Sequence, residues 1–199
     1  MTQPTLILAS ASPRRTQLLA QIGVTFAQAP QEIDETPATG ESAVALAQRL
    51  ALDKARAAYA VQDQSDCIVL GSDTVVVTED AILGKPENAD DALQMLALLS
   101  NRSHRVCTGV SLVSGNRSAS RLSVTEVSFR EIELKEAQAY WETGEPQGKA
   151  GAYAIQGLGA VFVEQISGSY SGVMGLPLYE TAQLLAEFGM PILSPSGAS

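Results

Sequence analysis

The stretch ASASPRRTQLL, Ala9 to Leu19, joins an apolar run to an amphipathic one through serines and a proline. The run before it, TLILA (Thr5–Ala9), is short and apolar, the pattern of a buried strand. Ser12 is placed as an N-cap and Pro13 as the first helical residue, where a missing N–H costs nothing. The spacing predicts a helix from Pro13 to about Ile22, stopped by Gly23. Arg14 and Arg15 then fall in the first turn, beside unpaired backbone N–H groups and the positive end of the helix dipole. Cations are disfavoured there. A phosphate reverses the conflict, because it takes N–H bonds, dipole attraction and guanidinium forks together. The stretch therefore reads as a strand-to-helix turn with an anion site.

Working outward, strands and helices alternate along the chain, with hairpins interrupting. VTFAQA is a second strand, and PQEIDETPATGES is a loop rich in proline and acid. A helix is expected from about Ser42 to Tyr59. CIVLGSD reads as a strand ending in a polar turn, and TVVVTEDAILGKP as a hairpin around Glu79 and Asp80. NADDALQMLALLS is a helix capped by Asn88 or Asp90. HRVCTGVSLV and RSASRLSVTEVSF are two strands joined at Gly115–Asn116. LKEAQAYWETG is a helix ended by Gly144, a glycine-rich stretch leads into a strand AVFVEQI, and PLYETAQLLAEFG is the last helix. Residues 1–190 form the expected domain, and the tail 191–199 is expected to be mobile. The fold class is α/β, with a mixed sheet flanked by helices rather than a purely doubly wound one.

Composition bounds the function. The 199 residues are 45% hydrophobic but only 5% aromatic, so the core is expected to be built mostly from Ala, Leu, Val and Ile. A net charge of -9 argues against a nucleic-acid polymer as partner, though not against a nucleotide in a local basic pocket. Cys67 and Cys107 sit in apolar strand-like runs and read as buried free thiols in a reducing compartment. No run approaches the length of a membrane span and no signal peptide opens the chain, so a cytoplasmic protein without a membrane partner is expected.

Other residues stand out against their surroundings. In the helix ESAVALAQRLALDKARAAY, Val44, Ala47, Leu50 and Ala51 mark one apolar face, and Lys54 and Ala58 continue it. Lys54 either snorkels outward or points into a cleft holding negative charge. Asp73 in LGSDTVVV either makes an Asx-turn or, at a strand's C-terminal end, holds a metal or activates water. Lys85 in LGKP is a turn lysine or a phosphate-reaching one. Glu32, Asp34 and Glu35 add carboxylates in the loop. The glycines of GKAGAYAIQGLGA lack the dinucleotide-fold spacing and suit close approach to a flat ligand. Gln156 among them presents a donor and an acceptor in one plane, as base-edge recognition requires. His104 has no Cys or His neighbour in sequence and reads as a surface or strand-end residue, and no catalytic triad or zinc spacing stands out. Four cations with these carboxylates suit a triphosphate and a divalent metal.

The set SASPRRTQLL, GSDTVVV, LGKP, KAGAYAIQG and SGVMGLPLYET, in order from Leu6 to about Phe188, resembles the Maf family of nucleotide pyrophosphatases. The resemblance implies an elongated α/β fold related to inosine triphosphate pyrophosphatases, with two lobes and a central cleft. It implies hydrolysis of a nucleoside triphosphate to the monophosphate and pyrophosphate, a divalent cation (Mg²⁺ or Mn²⁺), and often a homodimer. Carried over by motif, Asp73 is the proton acceptor, Arg14, Arg15, Lys54, Lys85, Ser10 and Ser12 hold the substrate, and Glu35 joins Asp73 at the metal. Arg14, Thr74 and Gln156 together resemble the branch acting on dTTP and UTP. The rivals to this expectation are a non-catalytic nucleotide-binding regulator of cell division, and the same chemistry on a modified purine triphosphate.

Overall fold

The computed structural model describes residues 4–62, 66–79 and 81–193. Its elements are, in chain order, β1 (Thr5–Leu8), α1 (Pro13–Gln21), β2 (Phe26–Gln28), α2 (Ala43–Ala60), β3 (Cys67–Val77) and β4 (Ile82–Leu83). There follow α3 (Ala89–Leu99), β5 (Ser103–Ser114), β6 (Arg117–Phe129), α4 (Leu134–Glu142), β7 (Val163–Ser167), α5 (Tyr170–Met174) and α6 (Leu178–Glu187). The strands form one mixed sheet in the order β2-β1-β3-β5-β6-β7, with β4 also paired to β3. β1 is parallel to both β2 and β3, and the other pairs are antiparallel.

Three long strands carry the sheet from end to end. β3, β5 and β6 have 11, 12 and 13 residues, which at about 3.3 Å per residue gives a ribbon roughly 40 Å long. A separate apolar core packs at each end of it. One gathers Leu8, Leu18 and Leu19 with Leu70, Leu112 and Leu184. The other gathers Leu96, Leu99 and Val106 with Phe129, Tyr140 and Phe162. These are the two lobes expected, and the long strands join them.

On the opposite face, α2 lies flat across β3 and β5. Ala47, Ala51, Ala55 and Ala58 along it are fully buried, and they meet glycines. A Cβ at Gly71 would lie 2.2 Å from the Ala51 carbonyl oxygen, and one at Gly109 would lie 2.4 Å from that of Ala47. Backbone thus rests on backbone, which fixes the height at which the side chains of α2 meet the sheet. Ser42 caps the helix by accepting from the Ala45 N–H at 3.2 Å.

The edge of β3 has a gap. β1 stays paired with β3 only as far as Leu8 opposite Leu70, and the Ala9 N–H makes the last bond to the Leu70 carbonyl at 2.8 Å. β4 meets β3 only at Val76 and Val77. Between them, Gly71 to Val75 have β5 on one side and, among the described residues, no strand on the other.

Several expectations change. GSD is not a turn: β3 runs unbroken through it, so Asp73 sits in mid-strand opposite Gly109, not at a strand's C-terminal end. The strand expected over AVFVEQI begins only at Val163, because Leu158–Phe162 form a 3₁₀ turn. α5 was not anticipated. His104 does open β5, but it is buried, not on the surface. Asn88 caps α3, accepting from the Asp91 N–H at 3.0 Å, which decides against Asp90. Cys67 and Cys107 are buried, as expected, and are not joined in a disulfide. Asp80 at the hairpin tip and residues 194–199 of the tail lie outside the described residues. No helix among the described residues is long and apolar enough to cross a membrane.

Candidate active site

The gap in the sheet edge opens into a cleft of about 780 Å³ between the two cores. Ten of the sequence-predicted site residues line it: Ser10, Ser12, Arg14 and Arg15 from one lobe, Lys54 from α2, Asp73 and Thr74 from β3, with Glu35, Lys85 and Gln156 from loops. Glu32 joins them and Asp34 does not. The Asp34 carboxylate instead accepts from the Thr36 N–H at 2.9 Å, a local turn bond.

An alternation of charge runs across the floor. Lys54 Nζ lies 2.6 Å from Asp73 Oδ1 and 2.6 Å from Glu35 Oε1, and Lys85 Nζ lies 3.5 Å from Glu35 Oε2. The Lys54 and Asp73 side chains are only 12% and 10% exposed, so this pair is held largely out of water. Asp73 Oδ2 accepts no hydrogen bond from the described residues. Burial pushes the Glu35 carboxyl up, but Lys54 and Lys85 outweigh it and hold it below the usual carboxylate range. Lys54 therefore points into the cleft; it does not snorkel.

The paired arginines do different work. Arg15 Nε donates to the Gly175 carbonyl at 2.8 Å and its Nη1 donates to Ser10 Oγ at 3.2 Å. Arg14 has one longer bond, from Nε to the Met174 carbonyl at 3.3 Å. Burial lowers the pKa of both, and for Arg15 Asp73 partly offsets it. Ser12 takes the N-cap position, but its hydroxyl makes no capping bond. Its own N–H donates to Ser10 Oγ at 3.2 Å. Ser72 Oγ donates to the carbonyls of Gly109 and Gly175 at 2.8 and 2.9 Å, and Thr108 Oγ1 to that of Gly172 at 2.8 Å. Thr74, the next residue on the same face as Ser72, accepts from Thr108 at 3.1 Å. Hydroxyls of the sheet thus hold α5 and its exit against the cleft.

The far wall comes from the glycine-rich stretch. Gly151 adopts φ +69, and a Cβ there would come within 3.0 Å of Val76 Cγ1. That close approach lets its N–H reach the Gly84 carbonyl at 3.0 Å, tying the Lys85 loop to the Lys149 loop. Lys149, which the sequence reading passed over, also lines the cleft. Burial lowers its pKa and the nearby Arg14 lowers it further, against a smaller pull from Glu145. The signal was available: Lys149 is the one cation in GKAGAYAIQGLGA. The cleft thus holds five cations, Arg14, Arg15, Lys54, Lys85 and Lys149, against three carboxylates, on a chain whose net charge is -9. Like charges gathered in one pocket call for an anion.

The Maf-like protein family matches residues 5–188. The chain belongs to that family. A relative from Alkalilimnicola ehrlichii, named dTTP/UTP pyrophosphatase, is 53% identical over 190 residues, 94% of each chain. One of the same name from Pseudoalteromonas atlantica is 50% identical over 187 residues, 93% of this chain and 97% of its own. Among solved structures, a HAM1 protein from Coxiella burnetii has a TM-score of 0.41 and 17% identity, covering 63% of this chain and 73% of its own.

The divalent cation expected from the sequence can be set against these donors. Among the described residues no group of three His, Cys, Asp or Glu comes together. Asp73 and Glu35 do converge, both on the position of one cation, Lys54 Nζ. Hard ions such as Mg²⁺ or Mn²⁺ take one or two carboxylates and fill their shell from phosphates and water. The donor chemistry of Asp73 and Glu35 suits them, although the point where the two carboxylates meet is held by Lys54 Nζ.

Proposed function

We propose that this protein hydrolyses nucleoside triphosphates, dTTP and UTP foremost, to the monophosphate and pyrophosphate. The observation that carries the proposal is the gathering of five cations around the mid-strand carboxylate of Asp73 in one cleft. The names of the relatives support the choice of substrate.

Arg14 and Lys149 face the cleft together and bind phosphate charge, and Lys85 reaches it from the opposite loop. Arg15 is anchored by the Gly175 carbonyl and Ser10, so its charge is oriented before a ligand arrives. Lys54 holds Asp73 by Oδ1, which leaves Oδ2 to orient a water and accept its proton. The water oxygen bonds to the α-phosphorus, the bond to the bridging α–β oxygen breaks, and pyrophosphate leaves with the electron pair into the field of the cations. Positioning and charge stabilisation dominate such a reaction. Asp73 and Glu35 would hold a Mg²⁺ or Mn²⁺ ion, whose bound form supplies further neutralisation of phosphate charge. Gln156, exposed on the far wall, donates to O4 and accepts from N3–H of uracil or thymine.

Purified protein is incubated with dTTP, UTP, CTP and GTP in the presence of Mg²⁺ or Mn²⁺, and products are separated. Monophosphate and pyrophosphate from the first two are expected. Diphosphate and orthophosphate would place the cleavage at the wrong bond and overturn the proposal.

A further inference from the structure

Gln156 lies on a segment with neither helix nor strand to hold it, between the 3₁₀ turns at Ala150–Ala152 and Leu158–Phe162. One turn bond, from the Gly157 N–H to the Ala154 carbonyl at 3.1 Å, closes around it. What fixes this turn to the body of the protein is a pair of side chains outside the cleft. Tyr140, buried on α4, accepts from the Ala154 N–H at 3.1 Å and donates to Glu145 Oε1 at 2.7 Å. Glu145 accepts from the Leu158 N–H at 2.9 Å through Oε2 and from the Gly159 N–H at 2.9 Å through Oε1. The three N–H groups flank Gln156 on both sides. The chain also makes room for the pair. A Cβ at Gly157 would lie 2.1 Å from Glu145 Oε2, and one at Gly159 would lie 2.6 Å from the Tyr140 hydroxyl.

From this arrangement we infer that Tyr140 and Glu145 are positioning residues for base selection. Neither lines the cleft, so neither touches a substrate; they set where the Gln156 amide meets the base. The inference rests on the base-reading role proposed for Gln156. Its physical content is that an amide discriminates only if its donor and acceptor stay in place. A loop without regular structure keeps them in place only through anchors such as these. Most of the phosphate end is held by α1, α2 and β3, elements that the clamp does not touch. Lys149 follows Glu145 on the same loop and feels its charge, an effect that falls alike on both nucleotides and cancels in their ratio, so the ratio reads the clamp's part in selectivity.

The test compares Tyr140→Phe and Glu145→Gln with wild type, alone and in a Gln156→Ala background. Tyr140→Phe removes the acceptor of the Ala154 N–H. Glu145→Gln puts an NH₂ group where a backbone N–H expects an oxygen. Each single variant is expected to lower the ratio of kcat/KM for dTTP over dGTP by about 3- to 10-fold, the worth of one neutral hydrogen bond. The loss should fall on KM for dTTP, with kcat within about 2-fold of wild type. In the Gln156→Ala background the same changes should leave the ratio unmoved, since the clamp acts through that amide. An equal loss on both nucleotides, or a ratio that falls as far without Gln156 as with it, would make the pair merely structural and overturn the inference. So would an unchanged ratio. The same comparison is made on binding of the non-hydrolysable α,β-imido analogues of dTTP and dGTP. A wild type that binds these selectively but releases no pyrophosphate would sink the proposed reaction while still testing the clamp. Equal binding of the two analogues by wild type would overturn base reading and the clamp together.

Discussion

Replacing Asp73 and replacing Lys54 should cost unequal stability, although the two side chains form one ion pair. Lys54 has two anionic partners, each at 2.6 Å. In Asp73→Asn the lysine keeps Glu35, and the new amide oxygen can still accept from Nζ. The loss is then one charge assistance, about 1 kcal/mol or less, which for a chain of this size moves the melting temperature by roughly 2–4 °C. Lys54→Met leaves Asp73, which is 7% exposed, without its cation, and leaves Glu35 facing it. Removing one partner of a buried pair costs about 3–5 kcal/mol. Since the pair borders an open cleft, the lower end applies, and about 3 kcal/mol corresponds to roughly 6–12 °C. Asp73→Asn removes the proton acceptor and should lower kcat by ~10²-fold or more for every substrate, about 2.7 kcal/mol of barrier. The melting deficit of Lys54→Met should also shrink in acid. The Glu35 pKa is held low in the folded protein, so its pairing stabilises above the usual carboxylate range and is lost as pH falls through the lowered value. Differential scanning fluorimetry from about pH 2 to 8, which spans the window below the usual carboxylate range, and steady-state kinetics on dTTP read all of this. An Asp73→Asn enzyme with turnover within about 5-fold of wild type would refute the assigned base. A melting loss as large as that of Lys54→Met would refute the partition of the pair.

The paired arginines should separate in the same assays. Arg14→Ala should lose activity with a stability change within about 1 kcal/mol, because its one protein bond is long, whereas Arg15→Ala should lose activity and about 1–3 kcal/mol, since it anchors the Gly175 carbonyl and Ser10; equal melting temperatures would contradict this. His104 is 2% exposed, bonded to the Tyr153 hydroxyl at 2.9 Å and edge-on to Phe129, and burial lowers its pKa to about 4. The unfolded chain takes up the proton first, near pH 6.5, so stability should fall by up to about 3 kcal/mol between pH 6.5 and 4. His104→Leu should flatten that slope in urea titrations.

Much of the site was legible where a residue broke a local rule. Two arginines in the first turn of α1 contradict the helix dipole, and Lys54 contradicts the apolar stripe it continues; both line the cleft. Lys149 broke no rule, since a lysine in a glycine-rich loop is ordinary, and only the fold brings it near Arg14. His104 misled for the reverse reason: its polar neighbours in NRSHRV suggest a surface, yet their side chains alternate across β5 while its own points into the aromatic core.

Gly71-Ser72-Asp73 has the composition of a polar turn and yet lies in the middle of β3. All three are turn formers, and each weakens a strand interior. In the structure each answers a tertiary contact. Gly71 admits the backbone of α2, Ser72 donates to the Gly109 and Gly175 carbonyls, and Asp73 meets Lys54. A central strand can hold such residues only because its neighbours complete them: the apolar run on either side keeps β3 extended, and β5 pairs with it throughout from Val69 to Val77. The local sequence is poor for a strand at the same point where the sheet edge opens and the cleft begins. Local preference and global fold conflict at this one place in β3, and such conflicts persist where a site needs them. The free edge beside Asp73 then follows from the same cause, since β1 ends before the three residues and β4 begins after them.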